Sequence, residues 1–188
     1  LRTTLTLILG PLEDMQKDTS LPTRQAQKLS VIHLSALRLL NLINQILEFR
    51  KTETQNKKLC VCKGNIVPLI HEIGLKYKEL NQKKAIDFQI QIEKEEMPLF
   101  FDKEIITIIL DNLISNAIKY TEQGKITLSL YPTTRNGVTY TEIKVSDTGY
   151  GISAEALPHV FDRYYQESGK HQASGTGIGL ALVRNLVE

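Results

Sequence analysis

The sequence predicts an α+β protein in two blocks. An N-terminal helical hairpin, half of a dimeric four-helix bundle, precedes a mixed block with helices on one face of a sheet. Three observations predict it. Apolar residues in the first fifty positions recur in steps of three and four. From about residue 64 the pattern turns to strand-like alternation broken by amphipathic helices. Glycine clusters then separate the last strand from the last helix.

The opening stretch carries a stripe through Leu1, Leu5, Ile8, Leu12 and Met15. Gly10-Pro11 interrupts it, and the missing proline N–H predicts a kink or break there. "KDTSLPT" reads as a turn. In the helix that follows, Leu29, Ile32, Ala36, Leu39, Ile43 and Ile46 form one seam, and Leu37, Leu40 and Leu47 a second beside it. One seam suits a two-stranded coil; two suit a helix inside a four-helix bundle. One chain supplies two such helices, so a homodimer through residues 1–50 completes the bundle economically.

Residues 51–63 read as a polar linker, "KTETQNKK", and a first strand containing Cys60 and Cys62. No further ligands stand near this C-x-C pair at metal-site spacing, so it reads as plain strand residues in a reducing compartment. Residues 64–188 form the second block. "GNIVPLIHEIGLKYKELNQKK" is an amphipathic helix and "AIDFQIQI" a strand. "DKEIITIILDNLISNAIKYT" is a helix with Asp102 as its N-cap. "KITLSLYP" and "VTYTEIKVSD" make an antiparallel hairpin turned at Arg135-Asn136-Gly137. A last helix runs from about Thr176 to Glu188.

The 23 basic and 21 acidic side chains are mixed and nearly cancel, which argues against a nucleic-acid surface. No run approaches the eighteen or so apolar residues of a membrane span, and no signal peptide is recognisable. The fragment is therefore read as soluble.

Four local signals crowd the second block. Asn112, Asn116 and Lys119 share one helix stripe. An amide oxygen is a neutral hard ligand for Mg²⁺, and a lysine one turn on meets phosphate charge; a plain polar helix face gives the same spacing. "SDTGYGI" follows a strand, and Asp147 at the strand end is placed to accept from an exocyclic amine such as that of adenine, or simply to make a turn. "VFDRYYQ" reads as a hydrophobic clasp, with Phe161 anchoring a loop. In "SGTGIGLAL" the glycines 175, 177 and 179 precede or open a helix, where free N–H groups favour phosphate. Neither a Walker A loop nor a Rossmann fingerprint fits this stretch.

In order and spacing these signals resemble the bacterial sensor histidine kinases, whose catalytic domain is a GHKL-type ATP-binding α/β sandwich. "DNLISNAIKYT" is similar to the N box, "DTGYGI" to the G1 box, "VFDRYY" to the F box and "GTGIGLAL" to the G2 box. "LRTTLTLILGPLEDM" resembles the H-box helix, usually H-E-L-R-T-P-L. The resemblance covers essentially the whole chain, and its wording looks most like the hybrid sensors of Bacteroides-type bacteria.

The resemblance implies ATP and Mg²⁺ as ligands, with Asn116 on the metal and Asn112 orienting phosphate or water. It implies that Lys119 meets phosphate, that Tyr120, Ile152 and Phe161 border the nucleotide, and that Asp147 receives the adenine amine. Gly149 and Gly151 would give the base room, and Arg163 would reach the γ-phosphate. Gly175, Thr176, Gly177, Gly179 and Leu180 would frame the phosphate end of a lid from about residue 154 to 174. Thr3 would place water for dephosphorylating a partner. The expected partners are a second copy of the chain and a response-regulator receiver domain. The expected setting is the cytoplasmic portion of an inner-membrane sensor.

The chain departs from the pattern in three places. The phosphoacceptor histidine is expected just before Leu1, Thr4 stands where the family has proline, and two further strands are expected after Glu188. His33, His71, His159 and His171 all lack the acceptor's context. The rival readings are a GHKL-type ATPase clamp and a nucleotide-binding dimer scaffold. Against the clamp stand the heptad hairpin and Asn112 at the place of a catalytic glutamate.

Overall fold

The structure is a computed structural model and describes residues 2–17, 21–53, 59–81, 85–166 and 176–188. The chain divides into two units, Leu1–Asn56 and Lys57–Glu188.

The first unit is a helical hairpin of α1, Arg2–Gln16, and α2, Thr23–Glu53. The break expected at Gly10-Pro11 is absent: α1 runs through Pro11. A helix-interior proline forfeits one backbone bond, and burial of Leu9 within the hairpin opposes that loss. The inward stripe of α1 also differs from the expected one. Leu9 is buried and Leu12 half-buried, whereas Ile8 and Met15 are exposed. In α2, Leu29 is buried, but Ile32, Leu37, Leu39, Ile46 and Leu47 remain exposed. The helix also runs to Glu53, into the stretch read as linker.

The second unit opens with β1, Cys62–Asn65, and α3, Val67–Leu80. Then come β2, Ile86–Ile92, and β3, Pro98–Phe101. Next are α4, Lys103–Tyr120, β4, Gly124–Arg135, and β5, Val138–Asp147. A 3₁₀ turn at Leu157–His159 and α5, Gly179–Val187, complete it. β1 pairs antiparallel with β3, and a second sheet has the order β2-β4-β5. β2 and β4 are parallel, β4 and β5 antiparallel. The hairpin turn has Asn136 at φ 51 and Gly137 at φ 76, the left-handed pair that a two-residue turn demands.

The core follows the alternation read in the sequence. Ile126, Leu128 and Leu130 of β4 are fully buried, with Phe88 beside them and Ile70, Ile73, Leu110 and Ile114 coming from α3 and α4. Each such side chain contributes about 1.5–3 kcal/mol on burial. α5 starts at Gly179, three residues later than expected, because Gly177 takes φ +67 and cannot belong to a right-handed helix.

Candidate functional site

Asp102 caps α4 as expected, accepting from the Glu104 and Ile105 N–H groups at 2.9 and 3.1 Å. Midway, Asp111 braces α4 against α3. Its Oδ1 accepts from Tyr77 Oη at 2.9 Å and from Lys76 Nζ at 3.1 Å. Burial first, and the Asp111 charge second, push the Tyr77 hydroxyl far above its ordinary range. This brace was not read in the sequence, where Asp111 is only the neighbour of Asn112.

The Asn112–Asn116–Lys119 stripe is graded in burial rather than uniformly open. Asn112 is buried, and its Nδ2 donates to the Ile108 carbonyl at 2.8 Å. Its Oδ1 faces α5 so closely that a Cβ on Gly179 would lie 2.8 Å from it. The N-box and G2-box stretches therefore meet at Asn112 and Gly179. Asn116 and Lys119 are half-buried. Lys119 Nζ donates to Tyr120 Oη at 2.9 Å and lies 4.5 Å from the centre of that ring.

The G1-box stretch folds onto the C-terminus of α4. Tyr150 donates its backbone N–H to the Tyr120 carbonyl at 3.2 Å. Asp147 Oδ1 accepts from the Gly149 N–H at 2.9 Å. A Cβ at Gly149 would overlap the Tyr120 carbonyl oxygen and sit 2.9 Å from Thr121 Oγ1. Gly149 thus makes room for the protein's own backbone, where the resemblance implies room for a base. Gly151 has φ +72, and nothing would meet a Cβ there. Its glycine serves conformation rather than space. The Tyr150 hydroxyl is held up by its hydrogen bond to Glu122.

The F-box stretch is tied to the G2 stretch by backbone. Tyr164 N–H donates to the Gly177 carbonyl at 2.8 Å. Tyr164 has φ 63, a rare conformation for a bulky residue. A Cβ on Gly177 would lie 2.6 Å from Tyr164 Cα. The expected anchor, Phe161, is 43% exposed and does not supply the clasp. The side chain is replaced in that role by the Tyr164–Gly177 backbone pair, which no sequence signal marks.

The remaining residues border this region. Ile152 and Arg163 are exposed, and Leu180 is half-buried in α5. Thr176 Oγ1 accepts from the Ile178 N–H at 3.3 Å just before α5. Gly175, His171 and the last part of the expected lid, residues 167–174, lie outside the described residues. His159 Nδ1 lies 2.9 Å from Asp162 Oδ2. His71 is exposed, and Thr3 lies in α1, in the other unit. His33 is packed in the hairpin, its Nε2 3.7 Å from Glu13 Oε1.

Within one unit, the structure gathers a neutral amide, a lysine, an exposed carboxylate at a strand end and the first turn of α5. The first two suit a divalent cation and phosphate, the third an amine. The helix start offers N–H groups without intrahelical partners. Among the described residues no three His, Cys, Asp or Glu side chains cluster as a metal site. The Asn116 amide oxygen is of the type that Mg²⁺ takes as one ligand among phosphates and water.

Residues 101–188 match the family of histidine kinase-, DNA gyrase B- and HSP90-like ATPases. The chain is 35% identical over 193 residues to histidine kinase P4 of Formosa agariphila, covering all of this chain and 14% of that protein. It is 35% identical over 190 residues to the aerobic respiration control sensor protein ArcB homolog of Haemophilus influenzae, covering all of this chain and 57% of that one. Among solved structures, full-length ShkA in complex with AMPPNP superposes with a TM-score of 0.77 at 25% identity. That match covers 98% of this chain and 38% of ShkA. The chain thus spans less than two thirds of the length of these relatives.

Proposed function

We propose that this chain, whose residues 101–188 match the histidine kinase-, DNA gyrase B- and HSP90-like ATPases and which is similar throughout to sensor histidine kinases, binds Mg-ATP and passes the γ-phosphoryl to a histidine. The observation that carries this reading is the meeting of Asn112 on α4 with Gly179 at the start of α5. It brings the amide-and-lysine stripe up to a helix start.

In this reading Asn116 is the metal ligand. Lys119 and the first turn of α5, with Thr176, Gly177, Gly179 and Leu180, hold phosphate. Asp147 takes the exocyclic amine of the base. Gly149 and Gly151 shape the loop under that base, and Tyr120, Ile152 and Phe161 line it. Arg163 reaches the γ-phosphate. Mg²⁺, when bound, supplies charge neutralisation across the phosphates. The chain's own residues contribute position and electrostatics, which is most of what phosphoryl transfer asks of a protein. Asn112 stands behind the phosphates and orients them or water.

The hairpin is proposed to dimerise through residues 1–50, supported by the exposed apolar side chains of α2. A receiver-domain aspartate as the next phosphoryl acceptor, Thr3 as a water-positioning group and anchoring of the parent protein in the inner membrane belong to the same proposal. They rest on the family resemblance. Among the described residues no helix is long and apolar enough to cross a membrane.

Calorimetry with Mg-ADP tests the site. Asp147→Asn keeps an oxygen for the Gly149 N–H but gives up the charged acceptor. Losing a charge-assisted bond costs about 1.5–3 kcal/mol, roughly ten- to a hundred-fold in affinity. Equal affinities for the variant and the parent chain would remove Asp147 from the base site.

A further inference from the structure

The antiparallel register of β1 and β3 ends at the pair Cys62↔Phe101. Just past that pair, the chain entering the second unit runs beside the start of α4. There Cys60 donates its backbone N–H to Asp102 Oδ2 at 2.8 Å. The other oxygen of the same carboxylate accepts from Glu104 and Ile105. Asp102 is 8% exposed.

A helix cap needs one side-chain oxygen. Here the second oxygen holds the incoming strand. A buried carboxylate is costly unless its oxygens are hydrogen-bonded, so the two ties support each other. The far side of the joint is α4 itself. Asn116 stands fourteen residues on, about 20 Å along a continuous helix at 1.5 Å per residue. A rigid helix fixed at its first turn carries that placement to its last.

We infer that Asp102 is a positioning residue for the phosphate-binding helix, one buried carboxylate that fastens the chain entering at Cys60 to the helix bearing Asn116 and Lys119. The inference rests on the ATP reading of the site and adds to it a coupling between the entry segment and the nucleotide. Coupling of this kind is reciprocal. If fastening at Cys60 favours the nucleotide-binding placement of α4, nucleotide must in turn tighten the fastening.

Hydrogen exchange of the Cys60 amide in the full chain reads this directly. Saturating Mg-ADP is expected to slow that exchange by about five-fold or more, the lower end of typical couplings. Two variants cut the tie differently. Cys60→Pro removes the donor and leaves the α4 cap intact. Asp102→Asn keeps one oxygen for the cap and turns an amide donor toward Cys60. Both are expected to weaken Mg-ADP binding by about five-fold, while Cys60→Ala, which keeps the N–H, binds like the parent chain. Thermal melts establish that each variant is folded, and Asp102→Asn carries the test if Cys60→Pro is not. Calorimetry on the same samples separates the two claims. Absence of Mg-ADP binding removes the ATP reading and this inference with it. Binding with unchanged Cys60 exchange, or an equal loss in Cys60→Ala, overturns the coupling alone.

Discussion

Gly177 is excluded from carrying a side chain by backbone, and backbone does not rotate away. A Cβ there would lie 2.6 Å from both Tyr164 Cα and its carbonyl carbon, and φ is +67. Gly177→Ala therefore pays at least about 1–2 kcal/mol for the left-handed conformation alone, and it opens the tie between Tyr164 and Gly177. Urea unfolding should show that loss, and Mg-ADP affinity should fall with it; unchanged stability would mean the tie does not form. At Asn116 the expectation is different. The side chain is half-buried, so Asn116→Ala should fold normally and bind metal-free ADP like the parent chain. The enhancement by Mg²⁺ should vanish. Mg²⁺ dependence that survives in calorimetry would place the metal elsewhere.

At the scale of the element, α2 leaves Ile32, Leu39 and Ile46 exposed although they sit in a regular seam. A helix apolar on more than the face it buries offers the remainder to another helix, which is the basis of the proposed dimer. Asp at both Ile43 and Ile46 should split the proposed dimer in sedimentation, because an unpaired charge buried in a seam is costly. A parent chain already monomeric at micromolar concentration would contradict the bundle. The elements that local chemistry fixes were legible in the sequence. The Asn136-Gly137 turn demands two left-handed residues, and Asp102 stands where a cap belongs. Those settled by distant partners were not. β3 is four residues long, too short to show an alternation, and it exists because β1 pairs with it. The sequence places the start of α5 too early, because the tie of Gly177 to Tyr164 is between residues distant in the chain. Pro11 reads as a break because its lost hydrogen bond is visible in the sequence and its packing is not.

Four short motifs in order along the chain carry the functional reading, and the fold links all four within one unit, the Tyr164 stretch being tied to Gly177. The stripe on α4, the loop after β5 and the start of α5 meet through Asn112–Gly179 and Tyr120–Tyr150. In the same unit β2 pairs in parallel with β4, across an intervening helix. Such parallel neighbours are joined by long crossovers, so their register is not written in either strand. In the proposed function the γ-phosphoryl passes to a histidine rather than to water. None of the chain's four histidines stands in an H-E-L-R-T context, so the acceptor is supplied separately, as a helical hairpin carrying that complete segment. The chain, first shown by thermal shift to be folded and to bind nucleotide, is incubated with it and radiolabelled ATP. An acid-labile, base-stable label is expected on the hairpin, slow because the encounter is bimolecular and lost in Asn116→Ala. Steady phosphate release with no labelled hairpin, abolished by changing Asn112, would contradict it and identify an ATPase clamp instead.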